Sequence, residues 1–424
     1  MTKLSYFRAK KTNGKTLFAL LDEFHFPGVE RSLFIRSIDS PADSTIEAKI
    51  YDLAYFLEMM SLMGLDVDEI ISCGKLPSKE QINLYIQASK FTAEQSKNFV
   101  AVRTKRAKNV SALLVSDKQL DQLMHSSNNN ILKTVGVASF NRRIVVAQEY
   151  IKFVFRYHIR RPTDQQTNDL RDILTQLKVS KCRSSKVRDN ASALQKPLTD
   201  VQFEKLIEVI KPDSPLNPFK ASKLRNFLIV WMFITTGLRR SSVAKMKISD
   251  FDFSGDCNKL FIKRTPNDPT DSRKRGAAQK TREHIVTLPS ELMLDLKKYY
   301  EYSRERFDAA SNHEFIFVAE KSGEVHMSGV PLSLNSYNKI LQKLSKILGF
   351  HIYPHRLRHH WNKIFDDIAE ANGLEHAEKE KIRIESMGWT RNSKMGQLYA
   401  RITIVKRMAE VNMRHQKEMY DAGK

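Results

Sequence analysis

The chain has 424 residues, of which 70 are Lys or Arg and 48 are Asp or Glu, so its formal net charge is +22. A hydrophobic fraction of 41% is enough to build globular cores and excludes a disordered chain. The length predicts two or three domains, and the excess of positive charge predicts a polyanionic partner, for which a nucleic acid is the leading candidate.

The cysteines and the apolar segments bear on where the protein works. Cys73, Cys182 and Cys257 are scattered and form no Cys-x-x-Cys pair, which argues against a zinc ribbon or a disulfide framework and suits a reducing cytoplasm. The first residues lack the apolar core of a signal peptide, and the longest apolar run, 227–234, is too short to span a bilayer. We therefore expect a cytoplasmic protein with no membrane partner, and a buried helix at this run.

The N-terminal part of the chain changes character near residue 40. Residues 1–40 contain short aromatic and aliphatic patches that predict strands or an arm, and their role stays open. After them apolar residues recur at helical spacing, and Ser44 or Thr45 is the expected N-cap, so residues 41–178 are predicted to form a helical module. The positions that carry this spacing are Ile46, Ile50, Leu53, Leu57 and Met60, and later Ile144, Ala147, Ile151 and Val154.

A basic, polar stretch follows at residues 179–195, where Lys and Arg alternate with Ser, Asn and Ala. This composition predicts a linker. A basic linker would suit a clamp that passes around DNA, and it is equally consistent with an ordinary solvated connection.

Residues 196–424 are predicted to be mainly helical, beginning with Thr199 as an N-cap. One β signal interrupts the helices, because 260–263 and 284–288 have the composition of two strands. The polar loop between them, 265–281, carries Lys274 and Lys280. A hairpin loop of this length is usually a functional or mobile element.

Three short motifs follow one another in this last region. Thr-Gly-Leu-Arg ends at Arg239, His-Arg-Leu-Arg-His contains Arg358, and Gly-Trp ends at Trp389 and is followed ten residues later by Tyr399. Two fixed guanidinium groups can clamp a phosphate through charge-assisted bonds, and a tyrosine can serve as a covalent nucleophile. Together the motifs predict attack on a phosphodiester in a nucleic acid.

Two histidines, His355 and His359, are spaced i, i+4 and so share one helix face. This is also a metal-ligand spacing, but a zincin motif would have Glu where Arg356 stands, which disfavours zinc. His355 is therefore predicted to handle a proton, since an unperturbed histidine titrates near neutrality. His359 is expected to pack or to support the residues that contact the substrate, and His360 is assigned neither role.

The motifs together resemble those of the tyrosine recombinases, the phage-type integrases and Xer/Cre-like enzymes. The resemblance covers the order of motifs from about residue 195 to the end, whereas residues 41–178 resemble the family's core-binding domain by position and type only. It implies a mainly α fold with a small β element: a helical SAM-like core-binding domain and an α+β catalytic domain that form a C-shaped DNA clamp.

The resemblance also implies a role for each residue at the site. Arg239 and Arg358 would hold the two non-bridging phosphate oxygens, Trp389 would contact the phosphate and pack, and Tyr399 would be the nucleophile. Lys280, just before the second strand, would protonate the departing 5′ oxygen, with Lys274 and Lys263 as competitors. This chain departs from the family pattern at one position. Three residues after the first arginine, where the family usually has an acidic residue, this chain has Ser242. The implied catalytic set is Arg239, Lys280, His355, Arg358, Trp389 and Tyr399.

The implied reaction is two successive transesterifications through a 3′-phosphotyrosyl link. Because bond energy is conserved, no nucleotide cofactor and no metal is expected. The implied partners are double-stranded DNA, a tetramer of this chain on paired sites, and directionality or host accessory factors, in a nucleoid-associated setting. Apolar positions after Tyr399, such as Ile402 and Val405, would pack within the same protomer or dock on a neighbouring protomer. A type IB topoisomerase and a catalytically silent DNA-binding protein remain as alternatives.

Overall fold

The computed structural model describes residues 4–11, 15–38, 43–109, 133–182, 197–252, 258–265, 268–322, 327–393, 411–414, 416 and 418. The chain divides into two compact units, one of residues 1–11 and 16–184 and the other of residues 12–15 and 185–424. Most of the predicted basic linker, from residue 183 onward, lies outside the described residues, as does most of the apolar tail after Tyr399.

The first unit begins with an antiparallel hairpin of β1 (Ser5–Lys10) and β2 (Thr16–Leu21), followed by helix α1 (Val29–Ser37). Of the apolar patches that predicted strands or an arm, 17–21 is confirmed as a strand, whereas 33–35 lies in helix α1. Leu20, Phe34 and Ile35 are buried in the same apolar core as the helices that follow, so this segment is part of the first unit's core. Burial of such side chains stabilises a unit by roughly 1.5–3 kcal/mol each.

The rest of the first unit is helical, and α6 runs through the middle of its core. The predicted apolar positions Ile144, Ala147, Ile151 and Val154 are all fully buried on α6. The first of these helices begins at Asp43, so Ser44 and Thr45 lie inside it and are not its N-cap. The helices are α2 (Asp43–Leu62), α3 (Val67–Ser72), α4 (Lys79–Ala88), α5 (Ala93–Asn109), α6 (Val137–His158) and α7 (Asp164–Val179).

The second unit contains all three motifs. Thr199 caps its first helix by accepting from the Gln202 amide at 3.2 Å, as predicted, and the run 227–234 lies in the buried helix α9. The elements are α8 (Asp200–Ile210), α9 (Lys223–Thr236), α10 (Arg240–Lys245), β3 (Phe251–Asp252), β4 (Lys259–Ile262), β5 (His284–Thr287), α11 (Ser290–Lys298), α12 (Leu334–Leu348), α13 (Pro354–Ala371) and α14 (His376–Met387).

A small antiparallel sheet with the order β3-β4-β5 accompanies these helices. The predicted hairpin of β4 and β5 is confirmed, with Leu260 opposite Val286, and β3 is an additional short strand. The described residues are therefore mainly α with a small β element, as expected. Within these same ranges, none of the helices is long and apolar enough to cross a membrane.

Helix ends position all three motifs. Gly237 ends α9 and Gly388 ends α14, each with a left-handed backbone at φ +59° and +61°. Glycine is favoured at such C-terminal positions because it adopts this conformation without a Cβ penalty. Pro354 starts α13, where its fixed φ suits the first helical turn, and His355 and Arg358 follow on that turn and the next.

Candidate active site

The first and second motifs are joined by a buried hydrogen bond. Arg358 is only 1% exposed, and its Nη1 donates to the carbonyl oxygen of Gly237 at 2.7 Å. One turn earlier on α13, His355 is exposed, and its ring lies edge-on to that of buried His359 at 4.7 Å between centroids. The helix thus presents His355 outward while it directs Arg358 inward to the first motif.

Close packing around Gly237 brings the third motif to the same place. A Cβ atom at Gly237 would lie 2.8 Å from Cε of Met387 and 2.9 Å from Cγ of Trp361. Trp361 is held there because its Nε1 donates to the carbonyl of Thr235 at 2.9 Å. Position 237, two residues before Arg239, therefore has room only for glycine, which explains the glycine of the first motif physically.

Trp389 brings the third motif into contact with the second. Its side chain is 3% exposed, and its ring centroid lies 5.5 Å from Cζ of Arg358. This is within the range of a cation–π interaction, which holds a guanidinium against an aromatic face. The packing role predicted for Trp389 is consistent with this burial.

Arg239 stands at the junction between α9 and α10. Its backbone is extended, with φ −72° and ψ 153°, and its carbonyl accepts from the amides of Ser242 and Val243 at 2.9 and 3.1 Å. Its side chain is half-buried. The neighbouring Arg240 is also half-buried, and burial lowers the pKa of its guanidinium.

The loop between β4 and β5 is fastened to α10. Arg273 is 8% exposed, pairs with Asp271 at 2.8 Å and donates to the carbonyls of Ala244 and Leu332 at 2.9 and 3.1 Å. Lys245 Nζ donates to the carbonyl of Thr265 at the start of the loop. Helix α10, which begins directly after Arg239, therefore supports the described part of the loop that carries Lys280.

Lys280 itself is exposed, between two anchored neighbours. On one side, Gln279 accepts a hydrogen bond from Ser242 on α10. On the other, the backbone amide of Arg282 donates to Gly388 at 2.9 Å and its Nε donates to the carbonyl of Trp389 at 2.8 Å. The loop segment around Lys280 thus reaches from α10, which follows the first motif, to the third motif.

The two competing lysines are placed differently. Lys263 forms an ion pair with Asp250 at 2.9 Å, on the opposite arm of the hairpin. Lys274 is exposed farther back in the loop, beside the buried Arg273. Of the three lysines, Lys280 is the one whose sequence neighbours contact both α10, which follows the first motif, and the third motif.

His284 and Arg282 are the residues that sequence reasoning missed. A Cβ atom at Gly388 would lie 2.3 Å from Nδ1 of His284 and 2.9 Å from the carbonyl of Arg282, so the third motif packs directly on the start of β5. Burial lowers the pKa of His284, and the charges of Arg282 and Arg358 lower it further. Their positions just after Lys280 were visible in the sequence, but no spacing rule marks them.

Of the predicted catalytic set, the structure brings Arg358, Trp389 and the turn that ends at Arg239 into one cluster, and places the Lys280 loop beside it. His355 lies on the exposed side of the same helix turn as this cluster. Tyr399 falls in residues 394–410, outside the described residues, and its assignment remains a prediction.

Part of this chain is similar to known proteins. Residues 196–366 match the model of the phage integrase family. The chain is also similar to the tyrosine recombinase XerA of Pyrococcus furiosus, with 31% identity over 166 residues, which are 39% of this chain and 46% of that relative. The similarity therefore spans less than half of the length of the curated relative.

Two solved structures resemble a larger part of the chain more distantly. One is the site-specific recombinase XerH bound to its difH substrate in a pre-cleavage complex, with a TM-score of 0.44, 14% identity, and coverage of 87% of this chain and 91% of that one. The other is a lambda integrase dimer bound to a COC′ core site, with a TM-score of 0.37, 14% identity, and coverage of 78% and 92%.

The family match spans the first two motifs, the loop that carries Lys280 and the helices that hold them. Over residues 196–366, this chain is similar to the phage integrase family.

Proposed function

We propose that this protein is a site-specific DNA recombinase that cleaves and rejoins DNA strands through a 3′-phosphotyrosyl link, and that it mobilises or integrates a genetic element. The observation that carries the proposal is the contact of Arg358 with Gly237 of the first motif and with the ring of Trp389 of the third. The family match over residues 196–366 supports the same reaction class.

In the cleavage step, the phenolic oxygen of Tyr399 attacks the phosphorus of the scissile phosphodiester. The bond from phosphorus to the tyrosine oxygen forms as the bond from phosphorus to the 5′ oxygen breaks. The phenol proton passes to neutral His355, and the ammonium of Lys280 gives a proton to the departing 5′ oxygen. The products are a 3′-phosphotyrosyl link and a free 5′ hydroxyl.

The joining step reverses these transfers on a partner strand. A 5′ hydroxyl attacks the phosphotyrosyl phosphorus, and its proton returns to Lys280. The bond to Tyr399 breaks, and the imidazolium of His355 returns a proton to the phenolic oxygen. One phosphodiester is exchanged for another, so the sequence of steps requires no external energy source.

The two arginines act on the charge that develops during both steps. Arg239 and Arg358 would neutralise the non-bridging oxygens, which carry more negative charge in the transition state than in the ground state. Preorganised donors of this kind contribute on the order of several kcal/mol, because they need no reorientation as the reaction proceeds. The support for preorganisation here is the buried hydrogen bond that already fixes Arg358.

The proposal is tested with a nicked suicide substrate and denaturing electrophoresis. Wild-type protein should produce a shifted covalent band, which Tyr399→Phe should abolish while DNA affinity stays close to normal. Tyr353→Phe, at the start of α13, and Tyr420→Phe are the matched controls and should keep the band. A band that persists in Tyr399→Phe and disappears in either control would overturn the assignment of the nucleophile.

A second assay addresses recombination itself. Two labelled DNA sites should exchange strands on a tetramer of this chain. Relaxation of supercoiled DNA by a monomer, without exchange between sites, would favour a topoisomerase-like activity instead. Binding without a covalent band under any condition would favour a catalytically silent DNA-binding protein.

A further inference from the structure

We propose that Ser242 and Gln279 form a buried latch that positions Lys280 for proton donation. The inference rests on the proposed function, since it concerns the cleavage step at the same site. It assigns a positioning role to two residues that do not themselves touch the reacting atoms. It also accounts for the serine that stands where a related chain would have an acidic residue.

The latch is a hydrogen bond between two elements that are 37 residues apart in the chain. Ser242 lies on α10, three residues after Arg239, and is 4% exposed, while Gln279 is 7% exposed. The hydroxyl of Ser242 donates to Oε1 of Gln279, and Nε2 of Gln279 donates to Oγ1 of Thr281 at 2.5 Å. A buried pair of this kind resists opening, because each polar group would lose its partner without gaining water.

The two hydrogen bonds of Gln279 bracket Lys280. The loop alternates here, with Ala277 and Gln279 buried and Ala278 and Lys280 exposed. Successive side chains here alternate between buried and exposed positions, so fixing Gln279 inward directs Lys280 outward. The Nε2 bond to Thr281 fixes the residue on the other side of Lys280.

A second anchor holds the chain on the other side of Lys280, so that both neighbouring segments are fixed. Arg282 is bonded through its amide to Gly388 at 2.9 Å and through Nε to Trp389 at 2.8 Å. If the Ser242–Gln279 bond is removed, this anchor still ties the loop to the third motif. On the N-terminal side of Lys280, the next bond from the loop to α10 is then that of Arg273 to Ala244, seven residues before Lys280, so Lys280 gains conformational freedom relative to Arg239.

The chemistry of the latch suits a proton donor. Ser and Gln are both uncharged, so the pair fixes the loop without adding a carboxylate beside the Lys280 ammonium. A nearby carboxylate would stabilise the charged form of the lysine and make its proton harder to release. A neutral latch also keeps its hydrogen bond across the ordinary pH range, because neither side chain titrates.

The test compares two substrates that differ only in the leaving atom. In a normal phosphodiester the departing 5′ oxygen needs a proton, whereas a 5′-bridging sulfur departs as a thiolate and needs none. We expect Ser242→Ala and Gln279→Ala to slow covalent adduct formation by about 10- to 100-fold on the oxygen substrate, a part of what a general acid contributes. On the sulfur substrate the same variants should lie within about threefold of wild type.

Three further variants sharpen the result. The double variant Ser242→Ala with Gln279→Ala should be no slower than the slower single variant, because both changes remove one shared bond. Ser242→Thr keeps the hydroxyl and should restore most of the oxygen-substrate rate. Ser249→Ala removes an exposed hydroxyl that bonds Glu314 in the same unit, and should leave both rates unchanged.

Two outcomes would overturn the inference. Equal slowing on oxygen and sulfur substrates would mean that the pair only maintains the fold, and equal rates to wild type on both would mean that the pair does not position Lys280. Failure of the proposed function looks different, since wild-type protein would then form no covalent adduct with either substrate.

Discussion

Nη1 of Arg358 donates to the carbonyl oxygen of Gly237 at 2.7 Å, across 121 residues of sequence. This bond ties the helix that carries the second motif to the turn that ends at Arg239. A guanidinium has five N–H donors in a planar fork, so one can be used for positioning while others face a phosphate. The arginine expected to act on the substrate is therefore also a structural link within the site.

Gly237→Ala should damage this link. The backbone has φ +59°, and a new Cβ would lie 2.8 Å from Met387 and 2.9 Å from Trp361. Backbone strain and steric overlap should therefore both destabilise the variant. We expect a loss of about 2–4 kcal/mol of unfolding free energy and a fall in covalent adduct formation of more than about tenfold. Thermal unfolding and the suicide-substrate assay measure the two effects.

Gly349 provides the matched control. It has φ +74° at the end of α12, but nothing lies within 4 Å of its added Cβ. Gly349→Ala should therefore cost only the backbone term, about 1–2 kcal/mol, and leave the rate of adduct formation unchanged. Equal effects of the two substitutions would show that close packing at Gly237 is unimportant.

Asp366→Asn should destabilise the helices that support Trp389. Arg383 is fully buried and pairs with Asp366, which also pairs with Lys379 at 3.0 Å. Removing the carboxylate leaves the buried guanidinium with Glu380, at 3.2 Å, as its remaining acidic partner, so we expect a cost of about 3 kcal/mol, the lower end of the range for breaking a buried ion pair. Chemical denaturation measures the change.

A surface pair in the same unit serves as the comparison for Asp366→Asn. Glu301 lies 3.9 Å from Lys297 with both side chains largely exposed, so Glu301→Gln should change stability by less than about 0.5 kcal/mol. A comparable small change for Asp366→Asn would contradict the view that the buried network supports this part of the site.

Acid should destabilise the second unit through buried histidines. Burial lowers the pKa of His360 below the ordinary value of 6.5, and the charges of Lys363 and Arg356 lower it further, against opposing effects of Leu198 and Asp200. As the pH falls, the unfolded chain therefore protonates His360 at a higher pH than the folded chain does. The stability contribution is complete above about pH 6.5 and is lost as the pH falls toward the folded pKa.

His360→Phe tests this pH dependence. The ring of Phe203 lies 4.5 Å from that of His360, so an apolar ring should be accepted there. Because pKa values of His284 and His313 are also lowered by burial, the variant should reduce the acid sensitivity and not abolish it. The readout is the midpoint of thermal unfolding from pH 7.5 to about pH 5. An unchanged slope in the variant would exclude His360 as a contributor.

DNA binding should depend steeply on salt. The net charge of +22 favours phosphate contacts, and each neutralised phosphate changes the slope of log K against log salt by roughly −0.9. A protein that contacts about six phosphates would thus show a slope of log K against log salt of about −5. Tyr399→Phe removes no charge and should keep this slope, as fluorescence anisotropy titrations can show. A slope near zero would contradict phosphate-dominated binding.

Local sequence signals determined the elements of this protein and the identity of its motifs. The apolar spacing of Ile144, Ala147, Ile151 and Val154 predicted a helix, and Thr199 predicted where another begins, because periodicity and capping act within a few residues. The strands on either side of Lys280 and the glycines of the first and third motifs were readable for the same reason.

Only the tertiary structure decided how these parts meet. The bonds from Arg358 to Gly237, from Ser242 to Gln279 and from Arg282 to Trp389 join residues 121, 37 and 107 positions apart. No periodicity or cap signals such a pairing, since it depends on which helix ends the packed core brings together. A buried hydrogen bond forms where the fold removes water from both partners, and that condition is a property of three-dimensional packing and not of sequence spacing.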